Sequence, residues 1–184
     1  MLFRSPLAQV VFSGSSHAKV VALTFDDGYS AANTKAIFDI LVREKVPATF
    51  FANGYVFSRG PAVWKAIANA GYPVANHTYS HVDVRRLTDE AIRRELQDTA
   101  TAFESTTGVA MTRLFRPPFG AHDARTDAVV TAAGYSAIVL WNATDADTSA
   151  GITAQAATDA ALKGGNGAIV LLHAGPDLTP HILP

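Results

Sequence analysis

Short β-rich runs alternate with helix-like stretches along most of the chain. The predicted strands are 20–25, 48–52, 73–76, 113–115, 136–141 and 168–172. Several are continuous apolar runs, such as ATFF and AIVLL, which is typical of strands buried on both faces of a parallel sheet. Regular alternation of this kind implies right-handed βαβ units. The pattern therefore predicts an α/β fold, and it leaves open whether the sheet is doubly wound or curled into a barrel.

Caps and helix breakers mark the helices between these strands. Thr88 followed by two acidic residues predicts an N-cap, and Gly108 predicts the end of that helix. The remaining predicted helices are 33–45, 61–71, 124–133 and 152–163.

The composition indicates one globular domain over residues 1–184. Hydrophobic residues make up 48% of the 184 positions, which is enough for one well-buried core. With 15 basic and 16 acidic residues and no like-charge block, the charge does not indicate a nucleic acid or an anionic membrane as partner. No apolar run is long enough to span a bilayer. The first residues, MLFRSPLAQVVFSGSSHAK, lack the layout of a signal peptide, so no export signal is visible.

Ionisable residues follow five of the six predicted strands. They are Asp26 and Asp27, then His77 with His81, then Arg116, then Asp145 and Asp147, and finally His173. Ligands bind at the carboxyl ends of parallel strands, so this distribution predicts a functional site at that edge. The alternative for the first pair is a solvated turn at an Asp-Gly dipeptide.

Two histidines and a carboxylate predict a metal site. The chain has no cysteine, so any metal must be held by His, Asp or Glu. His77 and His81 have the i, i+4 spacing of metal ligands, and a carboxylate from a neighbouring strand end supplies a third. Such a set leaves coordination positions open, as a catalytic site requires. One of Asp26 and Asp27 then binds metal and the other stays free as a base, with Gly28 permitting the bend.

Three further residues are predicted to assist. Arg116 would orient the free carboxylate by a bidentate contact and would itself be held by Asp147. The alternatives are a surface arginine before a Pro-Pro turn and a polar cap. His173 is predicted to be a general acid, the alternative being a hydrogen-bonded core histidine.

Five short motifs occur in order through the chain. They are TFDDG at 24–28, HTYSH at 77–81, RPPFG at 116–120, a Trp-led Asp motif at 141–147 and LLH at 171–173. Together they resemble the polysaccharide deacetylases of carbohydrate esterase family 4, the NodB-homology group, over about Val20 to His173.

The resemblance implies a distorted, incomplete (β/α) barrel of about six to seven parallel strands. It implies a divalent metal, zinc before cobalt or nickel, on Asp27, His77 and His81. It implies Asp26 as base, Arg116 and Asp147 as the relay that orients Asp26, and His173 as acid. On the substrate side it implies Phe119, whose N–H helps to hold the oxyanion, together with Leu171 and Trp141.

The activity implied is the removal of acetyl groups from polysaccharides that contain N-acetylglucosamine: chitin-like polymers, peptidoglycan or surface glycans. An O-acetyl xylan esterase, a non-haem iron oxygenase and a non-catalytic glycan-binding module are the alternatives. Because polymeric substrates lie outside cells, we expect an extracellular or cell-surface protein.

The chain departs from the family pattern in three places. Thr144 and Thr148 replace an Asp and a Trp of the fourth motif, and Ala174 follows His173 where an Asp is frequent. The chain also stops at TPHILP, where members usually continue into another helix and strand. We therefore expect either a fragment or a barrel that is closed in another way.

Overall fold

The computed structural model describes residues 8–17 and 19–184. The expectation about a signal peptide falls mostly on residues 1–7, which lie outside the described residues. Within the described part, no helix has the length and apolar character needed to cross a bilayer.

Eight parallel strands form one sheet, in the order β1-β6-β5-β4-β3-β2-β8-β7. The strands are β1 Gln9–Val11, β2 Ala22–Asp27, β3 Ala48–Ala52, β4 Val74–Asn76, β5 Thr112–Phe115, β6 Ala137–Val139, β7 Ala143–Thr144 and β8 Ile169–His173. The helices are α1 Ala31–Glu44, α2 Val56–Arg59, α3 Pro61–Asn69, α4 Asp89–Thr107, α5 Ala124–Ala132, α6 Ala154–Leu162 and α7 Leu178–Ile182. The α/β class and all six predicted strands are confirmed.

The two ends of the sheet are joined by residues 137–144. Only three residues separate β6 from β7, yet β6 pairs with β5 and β7 pairs with β8 at the opposite end of the strand order. Between them, Asn142 exchanges hydrogen bonds with Ile169, and the segment after β1 reaches the start of β8 through Gly14 N–H and Gly167 O (2.7 Å). The sheet thus curls into a distorted barrel, as expected, with β1 and β7 as the strands beyond the predicted six.

Alternation along β2 sends its side chains to two different places. Phe25 packs outward against Phe50 (ring centroids 5.4 Å apart), which contacts Trp64 in turn. Burial of each such side chain stabilises the fold by about 2 to 3 kcal/mol. Thr24 and Asp26 face the other side, where Arg116 lies. The aromatic layer therefore fixes the strand that carries the polar residues of the site.

Candidate active site

The polar residues that follow the strands meet at the carboxyl edge of the sheet. Asp26 and Asp27 end β2, His77 follows β4, Arg116 follows β5, Asp147 follows β7 and His173 ends β8. Asp26 and His173 are direct neighbours in the β2–β8 register. The parallel sheet therefore brings residues that are up to 147 positions apart into one site.

Asp27, His77 and His81 form a cluster that can hold a metal ion. Their ligand atoms all lie within 4.8 Å of one another. Asp27 Oδ1 is 3.7 Å from His77 Nε2 and 3.4 Å from His81 Nε2. This carboxylate oxygen is buried and has no hydrogen-bond partner among the described residues. An unpaired buried carboxylate oxygen is costly, and a cation between the three side chains would satisfy it.

Both imidazoles present Nε2 to the Asp27 carboxylate. His77 Nδ1 lies 2.7 Å from the backbone oxygen of Arg116, which leaves Nε2 as the free nitrogen facing Asp27. Burial, followed by the charge of His77, lowers the pKa of His81. His77 therefore offers Nε2, and the neutral form of His81 is favoured, so the residues present fit a divalent metal.

The backbone bends at Asp27 so that two neighbouring carboxylates can share one site. Asp27 has φ 72° and Gly28 φ 99°. A side chain at Gly28 would also collide with the Trp64 ring. The bend that the sequence predicts at Gly28 therefore begins one residue earlier, at Asp27, which belongs to the cluster that can hold a metal ion.

Asp26 is paired with a fully buried arginine. Arg116 Nη1 donates to Asp26 Oδ1 (2.6 Å) and to Thr24 Oγ1 (2.8 Å). The exposed fraction is 0% for Arg116 and 3% for Asp26. The predicted pairing is present, with one hydrogen bond instead of a bidentate contact, because the remaining guanidinium groups donate to the backbone oxygens of Val139 and Leu140.

The predicted contact between Asp147 and Arg116 is wrong. Asp147 Oδ1 accepts from His173 Nδ1 (2.6 Å), and Oδ2 accepts from His173 N (2.8 Å) and Thr179 Oγ1 (2.5 Å). Asp147 follows β7, which lies beside β8, whereas Arg116 follows β5 and points to β2. The site therefore contains two separate pairs, Asp26–Arg116 and Asp147–His173.

The second pair favours a protonated imidazole. Burial alone would lower the pKa of His173, but the hydrogen bond to Asp147 and the charge of that carboxylate raise it to about 9. Burial alone would raise the pKa of Asp147, and the same interaction with His173 lowers it instead. At neutral pH this dyad is an imidazolium held by a carboxylate.

The three residues expected on the substrate side surround this site. Phe119 has φ 62° and a 68% exposed side chain, and its ring lies over His81 with centroids 4.7 Å apart. Trp141 lies with its ring 5.7 Å from the Arg116 guanidinium, and Leu171 is buried in β8 beside Thr24.

Sequence reasoning missed Glu95, which binds the loop between His77 and His81. Glu95 Oε2 accepts from the backbone N–H groups of Tyr79 (2.8 Å) and Ser80 (2.9 Å), and Oε1 accepts from the Ser80 hydroxyl (2.7 Å). Glu95 lies on α4 with an ordinary helical spacing, so no short motif distinguishes it from a solvated glutamate.

The chain matches the sequence profile of the family described as Polysaccharide deacetylase over residues 13–138. A peptidoglycan-N-acetylglucosamine deacetylase of Bacillus cereus is 32% identical over 137 residues, which are 74% of this chain and 63% of the relative. A chitooligosaccharide deacetylase of a Bradyrhizobium species is 32% identical over 160 residues, 87% of this chain and 73% of the relative. The chain spans 49% and 63% of the length of the first curated relatives that it matches.

Solved structures share the fold. A peptidoglycan N-acetylglucosamine deacetylase superposes with a TM-score of 0.88 at 30% identity, covering 96% of this chain and 83% of that one. A pseudoenzyme of carbohydrate esterase family 4 from Bacillus anthracis superposes with a TM-score of 0.86 at 26% identity, covering 95% of this chain and 61% of that one.

Proposed function

Since this chain belongs to the polysaccharide deacetylase family, we propose that it removes acetyl groups from glycans that contain N-acetylglucosamine by metal-dependent hydrolysis. The observation that carries the proposal is the unpaired Asp27 oxygen between two imidazoles, beside the Asp26–Arg116 pair. The relatives named above act on peptidoglycan and on chitooligosaccharides, and we propose the same substrate class for this chain.

Asp27, His77 and His81 would hold the metal. A divalent cation bound there supplies Lewis-acid polarisation of the substrate's acetyl carbonyl. We propose zinc, because two imidazoles and one carboxylate form a common open zinc site, with cobalt or nickel as substitutes.

The two pairs divide the proton transfers between them. Asp26, held by Arg116, accepts a proton as a water oxygen adds to the acetyl carbon. The carbon–nitrogen bond then breaks, and the protonated His173 gives its proton to the departing amine. The Asp147 carboxylate stabilises the protonated form of His173 before this transfer. The products are acetate and a free amino sugar.

The remaining roles concern the substrate. We propose that the Phe119 backbone N–H stabilises the oxyanion and that Leu171 and Trp141 line the acetyl side of the site. Because the polymers are found outside cells, we place the activity at the cell surface or beyond it.

Acetate release from chitooligosaccharides, peptidoglycan and acetylated xylan tests the proposal. Release should stop after chelation and return with zinc or cobalt. Asp26→Asn should lower it by about 100-fold or more, because general base catalysis is lost. Asp39→Asn, on the exposed face of α1, is the matched control and should leave the rate unchanged.

Each alternative has its own outcome in this assay. Release only from acetylated xylan would favour the esterase, and glycan binding without turnover would favour a non-catalytic module such as the pseudoenzyme neighbour. Oxygen consumption with ferrous iron would favour an oxygenase, a function that leaves Asp26–Arg116 and Asp147–His173 without roles. Full activity in Asp26→Asn would contradict the mechanism.

A further inference from the structure

Asp145 is a buried carboxyl group that the proposed reaction does not use. It follows β7 and its exposed fraction is 0%. Asp145 Oδ1 accepts from the backbone N–H of Asp147 (3.2 Å), whereas Oδ2 is buried with no hydrogen-bond partner among the described residues. Ala146, between the two acids, has φ 56°, so the loop is turned to bring them together.

The surroundings of Asp145 contain too little positive charge for two carboxylates. On its own loop it faces Asp147, and at the end of β8 it faces His173, which Asp147 already engages. The helix α6, which packs against β7, carries Asp159, which is exposed and bonded to Gln155, and has the C-cap Lys163, which is also exposed. The His173 imidazolium is therefore the one positive charge beside Asp145 and Asp147 among the described residues. Burying both carboxyl groups as anions is unfavourable.

We propose that Asp145 gains and loses a proton in the neutral pH range beside the Asp147 carboxylate, and that in its protonated form a single negative charge, that of Asp147, faces the His173 imidazolium. Burial, and then the negative charge of Asp147, raise the pKa of Asp145 to about 7, in agreement with this arrangement. Asp145 is thus a positioning residue: it holds the Asp147 backbone through Oδ1 and sets the charge of the Asp147–His173 pair.

Loss of the Asp145 proton would add a second buried negative charge next to His173. The imidazolium would then release its proton less readily, and turnover would fall as the pH rises through the titration of Asp145. This link to turnover rests on the proposed function. The protonation of Asp145 itself does not rest on it.

Carbon-13 NMR of the zinc-loaded full chain, with labelled aspartate carboxyl groups, tests the protonation directly. The Asp145 signal, assigned through its backbone amide and by its absence in Asp145→Asn, should titrate with a midpoint near pH 7. A midpoint at the ordinary aspartate value of about 4 would overturn the proposal. The assignment through the backbone keeps this test valid even where the variant fails to fold.

The imidazole signals of His173 test the coupling between the two groups. In the wild-type protein they should shift in two steps, one of them following Asp145. In Asp145→Asn, which keeps an acceptor for Asp147 N–H but cannot ionise, the step near pH 7 should be absent. Identical His173 titrations in both proteins would refute the coupling. Neither measurement reads acetate release, so failure of the deacetylase proposal would leave both results interpretable.

Discussion

Asp26 and Asp27 are adjacent in sequence, but the protein compensates the charge of their carboxylates to different extents. The Asp26 carboxylate lies 2.6 Å from a buried guanidinium, which balances its charge within the protein. Within residues 8–17 and 19–184, the Asp27 carboxylate lies beside two imidazoles, and its Oδ1 has no hydrogen-bond donor. The charge of Asp26 is therefore compensated within the protein, and we propose that a bound cation compensates the charge of Asp27.

The Asp147–His173 pair predicts a pH-dependent stability. The pKa of His173 is about 9 in the folded chain against an ordinary 6.5. Its contribution is therefore fully present below pH 6.5 and is lost as the pH rises through 9. In metal-free protein, the stability difference between wild type and His173→Gln should shrink by about 3 kcal/mol from pH 6 to pH 10.

Urea unfolding at several pH values measures this difference. His17→Gln, at an exposed position, is the matched control and should follow the wild-type curve at every pH. Parallel curves for wild type and His173→Gln would show that Asp147 does not hold the proton on the imidazole.

At the scale of elements, helix α4 stabilises a loop that contains strained backbone conformations. Between His77 and His81, Thr78 has φ 64°, and His81 itself has φ 56°. Conformations of this kind cost on the order of 1 to 3 kcal/mol each. Glu95 offsets that cost with three hydrogen bonds to Tyr79 and Ser80. The two histidines of the candidate metal cluster are thus positioned by a helix that lies outside that cluster.

Glu95→Ala should weaken zinc binding by about 10- to 100-fold, the usual effect of removing a group that orients metal ligands. The zinc dissociation constant, measured by competition with a chelating dye, checks this. The backbone amides of Tyr79 and Ser80 should also exchange with solvent faster in metal-free Glu95→Ala. Glu90→Gln, on the exposed face of α4, is the control. Unchanged exchange and affinity would assign Glu95 to the solvated surface.

Individual elements differ in how far the sequence predicts them. The predicted strand 48–52 coincides with β3, and the Thr88 N-cap and Gly108 end of α4 are confirmed, because each has a strong local signal. The two-residue strand β7 lies in the polar run NATDADTS and has no such signal. Because the sequence does not predict β7, the predicted partner of Asp147, Arg116, is wrong. The position of β7 beside β8 follows from tertiary packing, which the sequence pattern does not reveal.

At the scale of the whole molecule, the barrel has a seam where residues 137–144 pass from β5 to β8. The backbone oxygens of Val139 and Leu140 lie beyond the β5–β6 pairing and accept from Arg116 Nε (2.9 Å) and Nη2 (3.2 Å). The same guanidinium binds Asp26. One buried side chain therefore closes the seam and orients the proposed base.

Arg116→Lys separates these two tasks. An ammonium group can still pair with Asp26, but it lacks the planar fork that reaches both seam oxygens. We expect the free energy of unfolding to fall by about 2 to 4 kcal/mol, since buried acceptors lose their donors. Chemical denaturation measures the loss, with Arg43→Lys on exposed α1 as the control. A stability equal to that of the wild type would show that the seam closes without Arg116.

Arg116 binds both Asp26 and the seam of the barrel, and this has an evolutionary consequence. A lineage that abandons catalysis can replace an isolated carboxylate or imidazole and keep its architecture, but replacing this arginine also removes the donors to two backbone oxygens of the seam. Selection for folding alone would therefore preserve it after selection for turnover has ended. Inactive descendants of such a chain should keep the arginine and differ first at the carboxylates and imidazoles around it.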